Sequence, residues 1–209
     1  MNHTADYVMR LQDICQLQTG YTVRGRLEPA RGDGQLCVQL RDLLDGGSLD
    51  ARNLQRFDLG QLPDRYAVKP GDVVFKSRGE PNIACAISAD MIEPAIALLP
   101  LIILRPKTGL VSAEYLAWAI NQPDAQRQMD AEAQGTSLRM ISKSSLENIE
   151  VPVPDIKTQV LIVQVGQLAA RETALLHELA DKRHTLSSLI LADLANAARG
   201  GAQLKGAHQ

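Results

Sequence analysis

What this chain lacks narrows its nature quickly. Its three cysteines, Cys15, Cys37 and Cys85, are far apart, form no CxxC pair and each sit in an apolar run. That is the pattern of buried thiols in a reducing cytosol, not of a disulfide scaffold or a metal site. The opening residues MNHTADYVMR hold no basic stretch followed by an apolar core, so no secretory signal is read there. The longest apolar run, Ala95 to Leu104, contains Pro100 and falls well short of the roughly 20 residues a membrane helix needs. A soluble, cytoplasmic protein with no membrane partner is expected. An excess of positive charge is missing too: the formal net charge is -2, with 16 basic and 20 acidic residues before position 156 and 6 and 4 from there on. A basic domain is excluded, and any DNA contact has to come from a local patch.

Catalytic signatures are also absent. There is no phosphate-cradling glycine loop followed by Lys and Ser or Thr, no G-x-S-x-G elbow and no metal-spaced cluster of His and Cys. His177 and His184 lie one heptad apart, about 10 Å along a helix, too far to share one metal and natural on a solvated face. Asp13, Asp33, Asp42, Asp45 and Asp72 fall at turns and strand ends, where carboxylates cap or solvate. The chain reads as a non-enzyme with no catalytic residue, no metal ligand and no cofactor of its own.

What is present is organised around residues 155–199. This stretch holds no proline and places Leu161, Val165, Leu168, Leu175, Leu179, Leu186 and Leu189 on a 4,3 heptad rhythm, broken by Glu172 and Lys182. A second row, Ile162, Ala169, Leu176 and Ile190, widens the stripe. Some 40 residues at about 1.5 Å each make a rod about 60 Å long, too long for the remaining chain to cover. Part of the stripe must meet another chain.

Residues 1–154 read as one domain of short strands. LQDICQL at 11–17 suits a strand or a helical turn. Tyr21–Leu27 suits a strand with Arg24 and Arg26 on one face, making a hairpin with a strand over residues 36–40. Residues 49–66 are polar and weakly patterned. Val73–Gly79 and Ile83–Ile87 suit two strands with a basic connection, and Ala95–Leu104 a strand bent or interrupted at Pro100. From Ser112, a plausible N-cap, the period becomes helical, with a break at Pro123 and a second segment to about Gln134. A helical turn follows Ser142, and Val151–Pro154 runs extended into the long helix. The expected class is α+β: a compact, curved, β-rich domain with accessory helices, then one long coiled-coil-forming helix and a frayed polar tail over 200–209.

Polar groups suited to DNA concentrate in loops. Lys76, Ser77, Arg78 and Asn82 combine two cations, a hydroxyl and an amide next to Gly79, a mix that fits phosphate oxygens and base edges as well as it fits a solvated hairpin tip. Gly135, Thr136, Ser137 and Arg139 form a second group, equally consistent with a helix C-cap. Arg24 and Arg26 form a third, equally an outward strand face.

In order along the chain, RLQDI at 10–14, QTGY at 18–21, VQLRDL at 38–43, PGDVVFKSRG at 70–79, GTS at 135–137, ISKSSL at 141–146, IEVPVP at 149–154 and Gln159 entering a leucine-rich helix resemble the specificity (S) subunit of type I restriction-modification enzymes. The resemblance covers nearly the whole chain and implies a target recognition domain over 1–154 that reads one half of a split site in double-stranded DNA. It implies a spacer helix that docks the methyltransferase (M) subunit and, through the complex, the restriction (R) subunit. It also puts S-adenosylmethionine, Mg and ATP on those partners only. The loop groups then rank as DNA contacts in the order given above. The family pattern has two domains and two helices, whereas this chain has one of each. Two copies paired through antiparallel helices would therefore mimic a full subunit and read a palindromic, interrupted site. The Met1 start and the polar end after Gly200 suit a natural half subunit. A recognition module of another modification system, or a coiled-coil protein-interaction module without a DNA role, are the alternatives.

Overall fold

A computed structural model describes residues 7–30, 32–44, 46–132 and 139–206. In order, the strands are β1 (Tyr7–Arg10), β2 (Cys15–Thr19), β3 (Gln35–Val38), β4 (Leu43–Leu44), β5 (Ser48–Leu49), β6 (Gln55–Phe57), β7 (Ala67–Val68), β8 (Val73–Lys76), β9 (Ala84–Ala86), β10 (Ala95–Ala97), β11 (Leu101–Pro106) and β12 (Glu150–Val153). The helices are α1 (Leu11–Ile14), α2 (Ala113–Ile120), α3 (Pro123–Glu132), α4 (Lys143–Asn148) and α5 (Ile156–Gly206). The expected α+β class is what the chain adopts. It divides between Val163 and Gln164 into two compact units.

In the first unit the sheet β2-β11-β8-β9 is wholly antiparallel, and its central strands are apolar on both faces. The strand alternation explains why. Val73, Phe75, Ile102 and Leu104 point to one face, against Tyr115, Leu116 and Ile120 of α2. Val74, Leu101 and Ile103 point to the other, against Val38, Val68 and Ile87. Continuous apolar runs are what a strand covered on both sides requires. A second sheet, β6-β3-β10-β7, contains a parallel pairing, β10 with β3. The apolar run 95–104 thus serves two sheets, breaking at Leu99–Pro100, which carries a cis peptide bond, as the interruption at Pro100 suggested.

The N-terminal strand closes the unit by pairing antiparallel with the last one, Tyr7 against Val153 and Arg10 against Glu150. Ser112 caps α2 by accepting from the Tyr115 N–H, and Ser142 caps α4 by accepting from the Ser145 N–H. Asn121, just past α2, takes both backbone groups of Ala84 on the edge strand β9: its Oδ1 accepts from the N–H and its Nδ2 donates to the C=O, each at 2.8 Å. Cys15, Cys37 and Cys85 are buried free thiols, and burial pushes each up to about 12.

Two expectations for this unit are corrected. Tyr21–Leu27 is not a strand and makes no hairpin with β3, whose partners are β6 and β10. Its alternation is real, because Tyr21, Val23 and Leu27 pack on the core of the second sheet, but its backbone bonds to the ladder only at Tyr21, which bridges Leu98, and Gly25 further on has a φ of 104°, outside the strand region. The weakly patterned stretch 49–66 supplies β6, a three-residue edge strand too short to show a period.

The second unit is the helix from Gln164 on. Asp155 opens α5, its Oδ1 accepting from the N–H groups of Lys157 and Thr158. In its first turn the fully buried Gln159 accepts from the Ser112 N–H and donates to the carbonyls of Leu110 and Pro154. Thr173, Thr185 and Ser188 each donate to the carbonyl four residues back, which keeps these hydroxyls compatible with a helix interior. The helix continues to Gly206, beyond the boundary expected at 199. Among the described residues no helix is long and apolar enough to cross a membrane.

Candidate nucleic-acid interface

At one end of the first sheet two loops are tied to the Leu98–Leu101 segment, and a third is tied to one of them. Lys76, the last residue of β8, pairs with Leu101, and the next residue, Ser77, donates from both its N–H and its hydroxyl to the Pro100 carbonyl, at 3.3 and 2.5 Å. On the other flank the Gly20 N–H donates to Leu101, the Tyr21 N–H donates to Ala97, and the Leu99 N–H donates to Tyr21. Gly20 is required there, since a Cβ would lie 2.8 Å from the Ala97 oxygen. The loop carrying Arg24 and Arg26 and the loop carrying Lys76 and Arg78 are therefore both anchored to this segment.

Residues 139–141 zip onto the same tip. The Gly79 N–H donates to Arg139, the Ile141 N–H donates to Ser77, and Arg78 bridges Met140. The first and second candidate groups are thus joined. Gly135, Thr136 and Ser137 lie outside the described residues.

The candidates split by burial. Ser77 and Asn82 are interior: the Asn82 Nδ2 donates to the Lys76 carbonyl at 2.9 Å, and its backbone carbonyl accepts from Gln126. Both side chains hold the tip together. Arg139 is mostly buried and turned onto acids, with Nη1 against Asp130 and 3.9 Å from Glu80. Arg24, Arg26 and Arg78 are exposed, and Lys76 is half-buried. None of these four has an ion-pair partner among the described residues.

Two further arginines flank this face. Arg24 and Arg65 line one open cleft of about 440 Å³ with Tyr21, Thr22, Pro63 and Tyr66. There the Tyr21 and Tyr66 rings meet edge-on at 5.3 Å, and the Arg65 guanidinium lies 4.9 Å from the Tyr66 centroid. Arg41 lines the adjoining cleft with Gly25 and Leu99, and its Nη2 donates to Gln55. Neither was visible from sequence, because each sits on a single 3-10 turn, Leu40–Asp42 or Asp64–Tyr66, with no periodic pattern around it. The only available signal was the Arg-Tyr pair itself. The arrangement offers cations in several loops, aromatic edges and open clefts, a surface able to take a polyanion.

The heptad residues of α5 are exposed along its length: Leu161 60%, Val165 57%, Leu168 68%, Leu175 56%, Leu179 55%, Leu186 59% and Leu189 60%. From Ala169 onward the second row is exposed as well, whereas Ile162 packs against the core of the first unit.

No protein-family model and no curated protein matches the chain. Solved structures do. A chain from a study of complex assembly and conformational transition of the type I R-M system matches with a TM-score of 0.64 at 19% identity, over 90% of this chain and 44% of that one. The HsdS subunit from Thermoanaerobacter tengcongensis matches with a TM-score of 0.59 at 18% identity, over 85% and 40%. The type I restriction-modification S subunit from M. genitalium matches with a TM-score of 0.53 at 12% identity, over 80% and 40%. The chain carries the fold of these S subunits and spans less than half their length.

Proposed function

We propose that this chain is the DNA-recognition subunit of a type I restriction-modification system, a half-length specificity subunit without catalytic residues that acts as a pair of copies. The observation that carries this reading is the convergence of the loops bearing Arg24, Arg26, Lys76 and Arg78 on the Leu98–Leu101 segment, on a fold shared with S subunits. Four cations without ion-pair partners among the described residues, Lys76 and Arg78 on a tip held by buried Ser77 and Asn82 and Arg24 and Arg26 on the loop that Gly20 and Tyr21 anchor, are a preorganised contact for phosphates and base edges. Ser77, Asn82 and Arg139 then act as supports for the tip and leave DNA contact to the exposed cations, with Arg41 and Arg65 added at the rim. Overall acidity is no obstacle, because only this face meets the duplex.

The exposed stripe of α5 supports the partner side of the proposal. An apolar face of this length is stable in water only when covered, and the methyltransferase subunit and a second copy are its partners. Adenine methylation, translocation and cleavage, with S-adenosylmethionine, Mg and ATP, belong to the M and R subunits in the cytoplasm. The test is selection from a random duplex library by the chain complexed with its methyltransferase subunit. An enriched, interrupted palindrome is expected. Two unlike half-sites would refute the symmetric pair, and no enrichment at all would refute the DNA-recognition role.

A further inference from the structure

The exposed stripe of α5 carries its own alignment rule. We infer that two copies of the helix pair antiparallel in one register, centred at His177, in which Glu172 of each copy meets Lys182 of the other; this rests on the self-pairing in the proposed function. In antiparallel packing, positions of the two heptad classes face each other across a dyad. Centring the dyad at His177 sets Val165 opposite Leu189, Leu168 opposite Leu186 and Leu175 opposite Leu179, and leaves Glu172 opposite Lys182. Both breaks in the apolar rhythm are matched with each other, and every other seam position from Val165 to Leu189 meets an apolar partner.

Neighbouring registers lose this match. Sliding one copy by a heptad sets Glu172 against Leu175 or Leu189, and Lys182 against Val165 or Leu179, so four seam charges per dimer face apolar side chains, and only Lys182 keeps a partner, Glu178 of its own helix. A parallel, in-step pair sets Glu172 against Glu172 and Lys182 against Lys182. The second row supports the same choice, because Leu176 of one copy lies beside Leu176 of the other next to the dyad. Lys182 already lies 2.6 Å from Glu178 of its own helix, so in the dimer it is shared between that carboxylate and Glu172 of the second copy. That also relieves the approach of the two Glu178 side chains near the dyad. His177 itself occupies the outer face of the helix.

The test is the dissociation constant of the full chain, from light scattering and sedimentation equilibrium at low ionic strength, where seam charges are least screened. Glu172→Lys and Lys182→Glu each turn two attractive pairs per dimer into two repulsive ones. Each is expected to weaken self-association about tenfold, while the double variant E172K/K182E returns to the wild-type value. All these positions are exposed, and unchanged helicity by circular dichroism checks that each variant folds. A wild-type dimer indifferent to both single substitutions overturns the register and leaves self-pairing standing. A wild-type chain that stays monomeric overturns self-pairing and the register with it.

Discussion

The split between exposed cations and buried polar supports at the hairpin tip is a sharp place to test the DNA interface. Arg78→Ala removes an exposed side chain with no ion-pair partner among the described residues, so stability should stay within about 0.5 kcal/mol of wild type. If Arg78 reads a base, binding should weaken by about 1–3 kcal/mol, roughly 5- to 150-fold, at one position of the site. If it meets a phosphate, all sequences should weaken alike and the salt slope should fall by about 1. Asn82→Ala should do the reverse. The side chain is 1% exposed and gives up one good bond, from Nδ2 to the Lys76 carbonyl. Its Oδ1 is buried without a hydrogen-bond partner, so deletion also relieves an unmet desolvation cost. The net loss is then near the low end for a buried hydrogen bond, about 1 kcal/mol, or about 2–4 °C in Tm. Fluorescence anisotropy on a selected duplex, run beside a thermal melt, separates the two effects. An unchanged duplex affinity for Arg78→Ala, or a loss of affinity for Asn82→Ala with an unchanged Tm, would refute the assignment.

Three further outcomes are expected. Gln159→Leu strands the Ser112 N–H and the Leu110 and Pro154 carbonyls at the start of α5 and should cost about 2–4 kcal/mol in urea unfolding; a change below about 0.5 kcal/mol would show these bonds to be replaceable. Cys15, Cys37 and Cys85, buried and pushed up to about 12, stay protonated at pH 8 and should resist iodoacetamide in the native chain while all three label in denaturant, as read by mass spectrometry. Hydrogen bonds from Thr158 and Lys157 hold Asp155 below its ordinary value of 3.8. Its contribution to the start of the helix is therefore present above that value and lost as pH falls through the folded-state value. Asp155→Asn should abolish that part of the acid transition, and an identical titration of helicity in the variant would show that Asp155 contributes nothing.

Long-range features were legible in the sequence where one physical cause dominated. The heptad rhythm from Leu161 to Leu189, the cap at Ser112, the break at Pro100 and the β8–β9 pairing each follow from local chemistry that nothing in the tertiary structure opposes. The stretch Tyr21–Leu27 misled because its alternation records which side chains cover the second sheet, while its backbone bonds to the ladder only at Tyr21. Strand β6 was missed because three residues carry no period. At the tip, residue type could not separate Arg78 from Asn82. Both suit DNA, and only the carbonyl of Lys76, brought round by the turn, shows that the amide is already engaged. Arg65 and Arg41 reach the face through folding alone.

The pairing of Tyr7 with Val153 brings the first strand of this unit beside its last. A domain whose entrance and exit are neighbours is topologically a cassette: residues 11–149 form a closed excursion between two strands that hold each other. Exchanging that excursion for one of different loop chemistry leaves β1 and β12 paired with each other, provided the replacement keeps the two groups that meet Gln159 at the start of α5, the Ser112 N–H and the Leu110 carbonyl. Under the proposed function, a new DNA sequence would be acquired by replacing the reader while the strand clasp stays as it is.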